Sequence, residues 1–194
     1  MTPTPEQQAH LKHYLERVAK AGLPLVSYAD RSRLEERHLA PSLAGLDLLP
    51  ETGQILDIGS GGGFPAIPLA TLTPHLTWTL VESNQRKAAF LARVSRETVL
   101  EKVLEKHLVV LNQRVEELGQ EYRHHFNVIT ARAVTDLPQL AAWSRPLLAR
   151  DGFLLLWKGR DWRHESWPEA VGLKLIKELN LPDGGVLLKL EIER

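Results

Sequence analysis

The sequence predicts an α/β fold: a mostly parallel sheet of seven strands, covered by helices on both faces, with an antiparallel edge strand. Short apolar runs alternate with helical patterns from Gln54 to Trp157, which is typical of parallel strands connected by helices. The last two apolar runs are instead joined by Pro182-Asp183-Gly184-Gly185, a turn signal that indicates an antiparallel pair.

The first 50 residues predict a short helical extension of this sheet. Apolar residues at spacings of three and four predict an amphipathic helix over residues 6–21. A second helix is expected from residue 32 toward Leu46, and Pro41 inside it should bend or split it. We therefore expect an extension over residues 1–50 and one sheet domain over residues 51–194.

The remaining elements follow from the same patterns, taken in chain order. Strands are expected at 54–58, 78–81, 107–111, 126–130, 153–157, 174–179 and 186–192. Helices are expected at 66–72, 86–96, 115–118, 137–148 and 165–172.

Composition excludes sites built on cysteine, and the sequence shows no signal peptide or membrane span. The 194 residues include no cysteine, which rules out disulfide frameworks, thiolate zinc sites and iron–sulfur clusters, and we expect no metal. The 24 basic and 24 acidic residues give zero net charge, so any contact with RNA must come from a local basic patch. Residues 1–10 lack the apolar core of a signal peptide, and no apolar stretch is longer than residues 153–157, which are too short for a membrane span. We expect a cytoplasmic protein with no membrane contact.

A glycine loop follows the first strand of the expected sheet, in the stretch Asp57-Ile-Gly-Ser-Gly-Gly-Gly-Phe64. Open α/β sheets bind ligands at the carboxyl ends of their strands, and glycine lets the backbone turn sharply and approach a ligand. Spacing alone fits both a dinucleotide and S-adenosylmethionine, since Gly61, Gly63 and Ala66 satisfy the dinucleotide pattern. Asp57 would repel a pyrophosphate and attract a sulfonium and an amino group, so it favours S-adenosylmethionine.

Two further segments fall at the same edge of the expected sheet. Glu82 ends the second strand, where a carboxylate can accept two hydrogen bonds from ribose hydroxyls. Arg114-Val115-Glu116-Glu117 follows the third strand, and the backbone of such a turn can present an N–H and a carbonyl to an adenine edge.

These residues resemble the RsmG/GidB family of bacterial small-subunit rRNA guanine-N7 methyltransferases. The resemblance covers residues 30–160 and rests on segments that occur in the family's order and spacing: Arg37-His38, Asp57 to Leu69 with its prolines at 65 and 68, Glu82-Ser83 with Lys87 and Phe90-Leu91, Arg114 to Glu117, Ala131-Arg132-Ala133, and Trp157-Lys158-Gly159. This chain departs from the family at Pro41, where the family usually has Asp, and at Ala131, where it usually has Ser.

The resemblance implies a Rossmann-like class I methyltransferase fold, S-adenosyl-L-methionine as cofactor, and 16S rRNA or the small ribosomal subunit as partner. We expect a monomer. Together with the reasoning above, the expected cofactor-binding residues are Asp57, Gly59, Gly61, Gly63, Phe64, Glu82, Val115, Glu116 and Arg132. The candidates on the substrate side are Arg37, His38, Arg132 and Lys158.

The implied reaction needs no general base, because the guanine N7 lone pair is free at neutral pH. We therefore expect no catalytic proton acceptor, and the protein contributes positioning and exclusion of water. Phe64 and Pro65 are expected either to form a wall for the base or to pack in the core. Lys158, Arg160 and Arg163, with Trp162 and Trp167 between and after them, suit unpaired nucleotides.

Seven basic residues between 84 and 114 lie near the mouth of the expected crevice, where basic residues should hold RNA, but those on the helix over 84–102 are interpreted first as a solvated helix face. They are Arg86, Lys87, Arg93, Arg96, Lys102, Lys106 and Arg114.

Three other functions stay open at this point. A methyltransferase of another substrate class agrees with the zero net charge. A non-catalytic RNA- or ribosome-binding relative is suggested by Pro41. A nicotinamide oxidoreductase shares the glycine loop, but Asp57 argues against it.

Overall fold

The computed structural model describes residues 3–97, 107–164 and 168–193. Its strands are β1 (Gln54–Ile58), β2 (Thr77–Val81), β3 (Leu108–Leu111), β4 (Phe126–Arg132), β5 (Leu148–Lys158), β6 (Leu173–Asn180) and β7 (Val186–Ile192). Its α-helices are α1 (Pro5–Lys20), α2 (Ala40–Leu43), α3 (Ala66–Leu72), α4 (Gln85–Ser95) and α5 (Leu137–Ser144). Within the described ranges, none of these helices combines the length and apolarity that a membrane crossing requires.

The strands form one sheet in the order β3-β2-β1-β4-β5-β7-β6. The first five are parallel, and β7 is antiparallel to both of its neighbours. Strands β2 and β3 are added in turn on one side of β1, and β4 then lies on the other side of β1. This reversal leaves a crevice beyond the carboxyl ends of β1 and β4, which is where such sheets bind ligands.

The antiparallel strand lies one place in from the edge rather than at it. The turn after Asn180 folds β7 back between β5 and β6, so β6 is the edge strand. Apolar residues of β7 such as Leu187, Leu188 and Leu190 are fully buried, whereas β6 is largely exposed. Burial on both faces explains why the apolar strand takes the inner position.

Two expected helices are shorter in the structure. The helix expected over 137–148 ends at Ser144, and Leu148 already pairs with Phe126 as the first residue of β5. The pairing resumes at Phe153 after a register shift, so an irregular stretch of β5 hid its start from the sequence pattern. Of the helix expected over 165–172, residues 165–167 lie outside the described residues and Pro168–Val171 form a 3-10 turn.

The segment around Pro41 stays helical across the proline but changes its type of helix, where a bend or a break was expected. A π-helical turn spans Glu35–Leu39 and α2 continues from Ala40 to Leu43. Proline carries no N–H, so it cannot donate the hydrogen bond that a regular helix needs at this position. The helical geometry changes at the junction for that reason.

Two apolar layers cover the two faces of the sheet, because successive side chains along a strand point to opposite sides. Ile55 of β1 lies in one layer and Leu56 in the other. Tyr14, Leu15 and Val18 of α1 belong to the same layer as Ile55. The N-terminal helix therefore belongs to the core on this face of the sheet, where it packs against α3.

Candidate functional site

The loop after β1 carries three glycines in the left-handed region of backbone space. Gly59, Gly61 and Gly63 have φ values of +66°, +54° and +98°, which side chains with a Cβ rarely adopt. The backbone N–H groups of Gly59 and Ser60 both donate to the carbonyl of Val81, at 2.9 and 3.1 Å. The loop is thereby attached to the end of β2.

These glycines differ in what surrounds them. A Cβ on Gly61 would meet nothing closer than the Gly59 carbonyl oxygen, at 3.7 Å, so this residue faces open space. A Cβ on Gly63 would lie 2.7 Å from Ile67 and 2.8 Å from the Tyr14 hydroxyl. Gly61 thus leaves room for a ligand, whereas Gly63, expected at the cofactor, is required by packing beneath the loop.

Tyr14 of α1 supports the loop from below. Its side chain is fully buried, and its hydroxyl donates a 2.6 Å hydrogen bond to the Gly62 carbonyl. The sequence indicated only that α1 is amphipathic. The partner of the hydroxyl lies 48 residues away, and nothing in the local pattern identifies it.

Asp57 lies at the end of β1 and is 1% exposed. Thr130 of β4 donates a 2.6 Å hydrogen bond to its Oδ1, while its buried Oδ2 has no hydrogen-bond partner among the described residues. Burial raises the pKa of this carboxyl to about 6, because an apolar environment disfavours the charged form. Asp57 lines neither of the two clefts beside the glycine loop, so its ionised form would attract a bound cation by its charge from beneath the loop and not by direct contact.

Glu82 follows β2 and holds the glycine loop. One carboxylate oxygen accepts from the Gly61 N–H at 2.8 Å and the other accepts from the Asn84 N–H at 2.7 Å. The side chain is 7% exposed. Each oxygen retains a second lone pair, so the carboxylate fixes the cradle and still has acceptor capacity for a ligand.

An apolar slot of about 70 Å³ opens beside Gly59. Ile58, Val81, Val115, Val134 and Trp143 line it. Glu116 lies at its edge in the short 3-10 turn Val115–Glu117. The turn expected from the sequence therefore contributes to a mainly apolar pocket next to the glycine loop.

A second, more polar cleft of about 210 Å³ shares Gly59 with the slot and extends along the loop. Its lining includes Leu25, His38, Phe64, Lys87 and Arg132, in addition to Ser60, Gly61 and Gly62. The His38 and Phe64 rings lie 5.0 Å apart between centroids. Phe64 is 8% exposed and also packs against Tyr14, so it serves both as a wall of the cleft and as part of the core.

Arg132, at the end of β4, ties the N-terminal segment to the site. Its guanidinium donates to the carbonyl of Arg37 at 2.8 Å and to that of His38 at 3.4 Å. Nη2 also lies 3.5 Å from Asp183 Oδ2. Burial lowers the pKa of Arg132 from its ordinary value. This network orients Arg132 at the border between the polar cleft and its neighbour.

Asp30 holds the Arg-His pair. Its carboxylate lies 3.4 Å from Arg37 Nε and 3.3 Å from His38 Nε2, and it accepts a hydrogen bond from Ser27. That hydrogen bond lowers the pKa of Asp30. Burial, followed by the charge of Arg132, lowers the pKa of His38, so His38 is neutral at neutral pH.

The third cleft, of about 360 Å³, shares Arg132 and Ala133 with the second. Arg37, Lys158, Arg160 and Asp183 supply its charged lining. Lys158 Nζ donates to the Thr135 carbonyl at 2.7 Å, and Arg160 Nε donates to that of Gly184 at 2.6 Å. The four substrate-side candidates, Arg37, His38, Arg132 and Lys158, thus come together along the second and third clefts.

The basic and aromatic residues after β5 are only partly arranged as expected. Trp162 is 1% exposed and packs in the core, so it is not available to stack on a nucleotide. Arg163 lies over its ring, 4.7 Å from the centroid, and forms an ion pair with Glu178. Trp167, Lys102 and Lys106 lie outside the described residues.

No set of three or more metal-ligating side chains converges within the described ranges. The three clefts lie in a row at the carboxyl edge of the sheet, beyond the ends of β1 and β4, and run from an apolar slot to a basic surface.

Similarity to solved structures agrees with this architecture. A methyltransferase dependent on S-adenosylmethionine from Aquifex aeolicus matches with a TM-score of 0.63 at 15% identity, covering 92% of this chain and 98% of that one. A glycopeptide N-methyltransferase complexed with S-adenosyl-L-methionine also gives 0.63, at 14% identity, over 80% of this chain and 94% of that one. At this identity the match shows the class I methyltransferase fold.

Similarity in sequence is more specific. Ribosomal RNA small subunit methyltransferase G of Gluconobacter oxydans is 42% identical over 140 residues, which cover 72% of this chain and 67% of that protein. The protein of the same name from Paracoccus denitrificans is 38% identical over 170 residues, or 84% of this chain and 83% of that protein. In Chloroflexus aggregans the match is 39% over 160 residues and spans 65% of the relative's length. Residues 7–175 match the family described as rRNA small subunit methyltransferase G, and the chain belongs to that family.

Proposed function

We propose that this protein transfers a methyl group from S-adenosylmethionine to the N7 atom of a guanine in 16S ribosomal RNA. One observation carries the proposal: a glycine cradle, an apolar slot and a basic cleft adjoin one another at the carboxyl ends of β1 and β4. A methyl donor and an RNA nucleotide must meet in such a place. The names of the relatives supply the substrate class.

The residues present fit S-adenosylmethionine. The adenine would occupy the apolar slot next to Val115 and Glu116, and the ribose would lie toward Glu82. The open space over Gly61 leaves room for the backbone of the loop to approach the ligand. Asp57, with its unpartnered buried oxygen, would favour the positively charged methionine end.

When bound, S-adenosylmethionine supplies an electrophilic methyl group on a positively charged sulfur. The protein's own residues position the guanine and exclude water. The N7 lone pair needs no activation, so no side chain has to accept a proton. His38 is neutral because burial lowers its pKa, and it therefore adds no positive charge beside a base that becomes positive.

Two alternatives from the sequence are weakened by the geometry of Pro41 and Asp57. The Pro41 carbonyl accepts a 2.7 Å hydrogen bond from the Trp157 indole, so this residue supports the site without disturbing the glycine cradle. That argues against a non-catalytic relative.

A buried acid at the end of β1 disfavours a dinucleotide pyrophosphate, which argues against an oxidoreductase.

The test is methyl transfer by the purified protein to small ribosomal subunits, and separately to protein-free 16S rRNA, from a strain that lacks this enzyme. Nucleoside mass spectrometry should find 7-methylguanosine after incubation with S-adenosylmethionine. Methylation of another nucleoside, or of a ribosomal protein instead, would support the alternative substrate class.

We also propose that the protein acts in the cytoplasm as a monomer. The lack of cysteine and the proposed ribosomal substrate support the location. Sedimentation of the purified protein at 21.9 kDa supports a monomer, and twice that mass contradicts it.

A further inference from the structure

Tyr28 is unusual among the apolar side chains that the structure describes. It is 87% exposed, more than Val109 at 51% or Ile176 at 41%, and it is the aromatic residue among these three. The expected aromatic contact at Trp162 is buried. The exposed ring of Tyr28 is therefore the better candidate for contact with a nucleotide base.

The position of Tyr28 links it to the site. It begins the 3-10 turn Tyr28–Asp30, in the segment between α1 and the π-helical turn. Three residues earlier, Leu25 lines the polar cleft. Two residues later, Asp30 contacts Arg37 and His38. The segment that carries the ring is therefore connected to the cleft on both sides: Leu25 lines the cleft, and Asp30 contacts His38, which also lines it.

The turn that carries the exposed ring is held by local contacts. The Arg31 guanidinium carbon lies 5.5 Å from the ring centroid, and Arg31 Nη2 reaches the Leu23 carbonyl at 3.4 Å. Ser27 closes the turn with a 2.8 Å hydrogen bond to Asp30. A turn that is ordered before binding loses less conformational entropy when a base stacks on the ring it carries.

We propose that Tyr28, backed by Arg31, is a stacking platform for an unpaired RNA nucleotide adjacent to the target guanine. Aromatic side chains bind unpaired bases by stacking on their faces. Residues 27–38 contain three arginines and three acidic residues, so this segment offers little net attraction for phosphates. Stacking is then the main contribution, and it is nearly independent of salt. The inference rests on the proposed RNA substrate.

The test compares Tyr28→Ala with Tyr28→Phe. Removing the ring should weaken binding to unmethylated 16S rRNA or small subunits about five- to hundredfold. The phenylalanine variant should bind within about twofold of the unmodified protein, since the stacking face is retained. Both variants should keep the affinity for S-adenosylmethionine, which also verifies the fold, and both should keep the slope of RNA affinity against salt concentration.

Val109→Ala is the matched control, because it shortens another exposed apolar side chain, on β3 away from this turn. Its RNA affinity should be unchanged. If the unmodified protein methylates the RNA and Tyr28→Ala binds it equally well, the platform is refuted while the proposed function stands. If the unmodified protein neither binds nor methylates the RNA, both the proposed function and the stacking platform are refuted. A reduced salt slope in Tyr28→Ala would also refute stacking, because it indicates a lost phosphate contact.

Discussion

At the scale of single residues, Pro41 shows how a missing N–H shapes the site. In a regular helix the Arg37 carbonyl would accept from the N–H of residue 41. Proline has none, and that carbonyl instead accepts from Arg132 at 2.8 Å. The Ser42 hydroxyl similarly donates to the His38 carbonyl at 2.6 Å. The departure at position 41 thus makes a backbone acceptor available to the arginine at the cleft.

Gly61 gives the sharpest prediction for the cofactor. Gly61→Val should reduce S-adenosylmethionine binding at least a hundredfold, because a branched side chain strains the backbone at φ +54° and fills the open space above the loop. The fold should persist, since a Cβ there meets no atom within 3.5 Å, the Gly59 oxygen at 3.7 Å being the nearest. Calorimetry with the donor and thermal unfolding together measure both effects.

Gly63→Ala is the comparison variant. Its Cβ would press on Ile67 and Tyr14, so unfolding temperature should fall first. Normal donor binding by Gly61→Val would show that the glycine serves the fold alone.

Asp57 predicts a particular dependence on pH. Its pKa is about 6 in the folded protein against 3.8 ordinarily, so the folded state holds the proton more tightly. The associated stability is present below about pH 4 and is lost as the pH rises through 6, by up to about 3 kcal/mol. Asp57→Asn removes this titration and still accepts the bond from Thr130.

Urea unfolding from pH 4 to pH 7 measures the difference between the two proteins. The asparagine variant should gain stability relative to the unmodified protein as the pH rises. Donor affinity of the unmodified protein should increase over the same range, because the ionised acid attracts a cation. Parallel stability curves would contradict the assignment of the buried acid.

At the scale of elements, much of the fold could be predicted from the sequence, but few of the contacts between distant segments could. The strands β1, β2 and β7 and the glycine loop were predicted because their patterns are local. An antiparallel edge was predicted from the final pair of strands, but not that β7 lies inside β6, since sheet order depends on contacts far along the chain. Burial of Trp162 and the bond from Tyr14 to Gly62 also depend on packing between elements. The sequence named Arg132 but not the carbonyls it binds.

Helix α1 should therefore affect a cofactor site that it does not line. Tyr14→Phe keeps the ring in the core and leaves the buried Gly62 carbonyl without its donor, which costs about 1–3 kcal/mol of stability. The loop loses its support, so S-adenosylmethionine should bind more weakly as well. Chemical denaturation and calorimetry test this. Tyr122→Phe, outside the site, should leave donor affinity unchanged. Unaltered donor affinity in Tyr14→Phe would separate α1 from the site.

At the scale of the whole molecule, zero net charge means that RNA must be held by a local surface. Lys158 and Arg132 both border the third cleft, but their substitution by alanine should affect RNA and donor binding differently. Lys158→Ala should weaken RNA binding, reduce the salt slope by about one and preserve donor affinity. Arg132→Ala should impair both ligands, because it also braces the residues around the polar cleft.

Titrations of RNA and donor at two salt concentrations distinguish the two variants. Lys158 already donates to the Thr135 carbonyl. If that is its whole role, RNA affinity and salt slope in Lys158→Ala will match the unmodified protein, and Lys158 then does not belong to the substrate site.

The most direct measurement is nucleoside mass spectrometry of 16S rRNA from the source organism with and without this gene. The structure and the family predict that deletion removes one 7-methylguanosine. The gene should restore it, and its Gly61→Val form should not. An identical nucleoside profile in the deletion strain would contradict the proposed methylation of 16S rRNA.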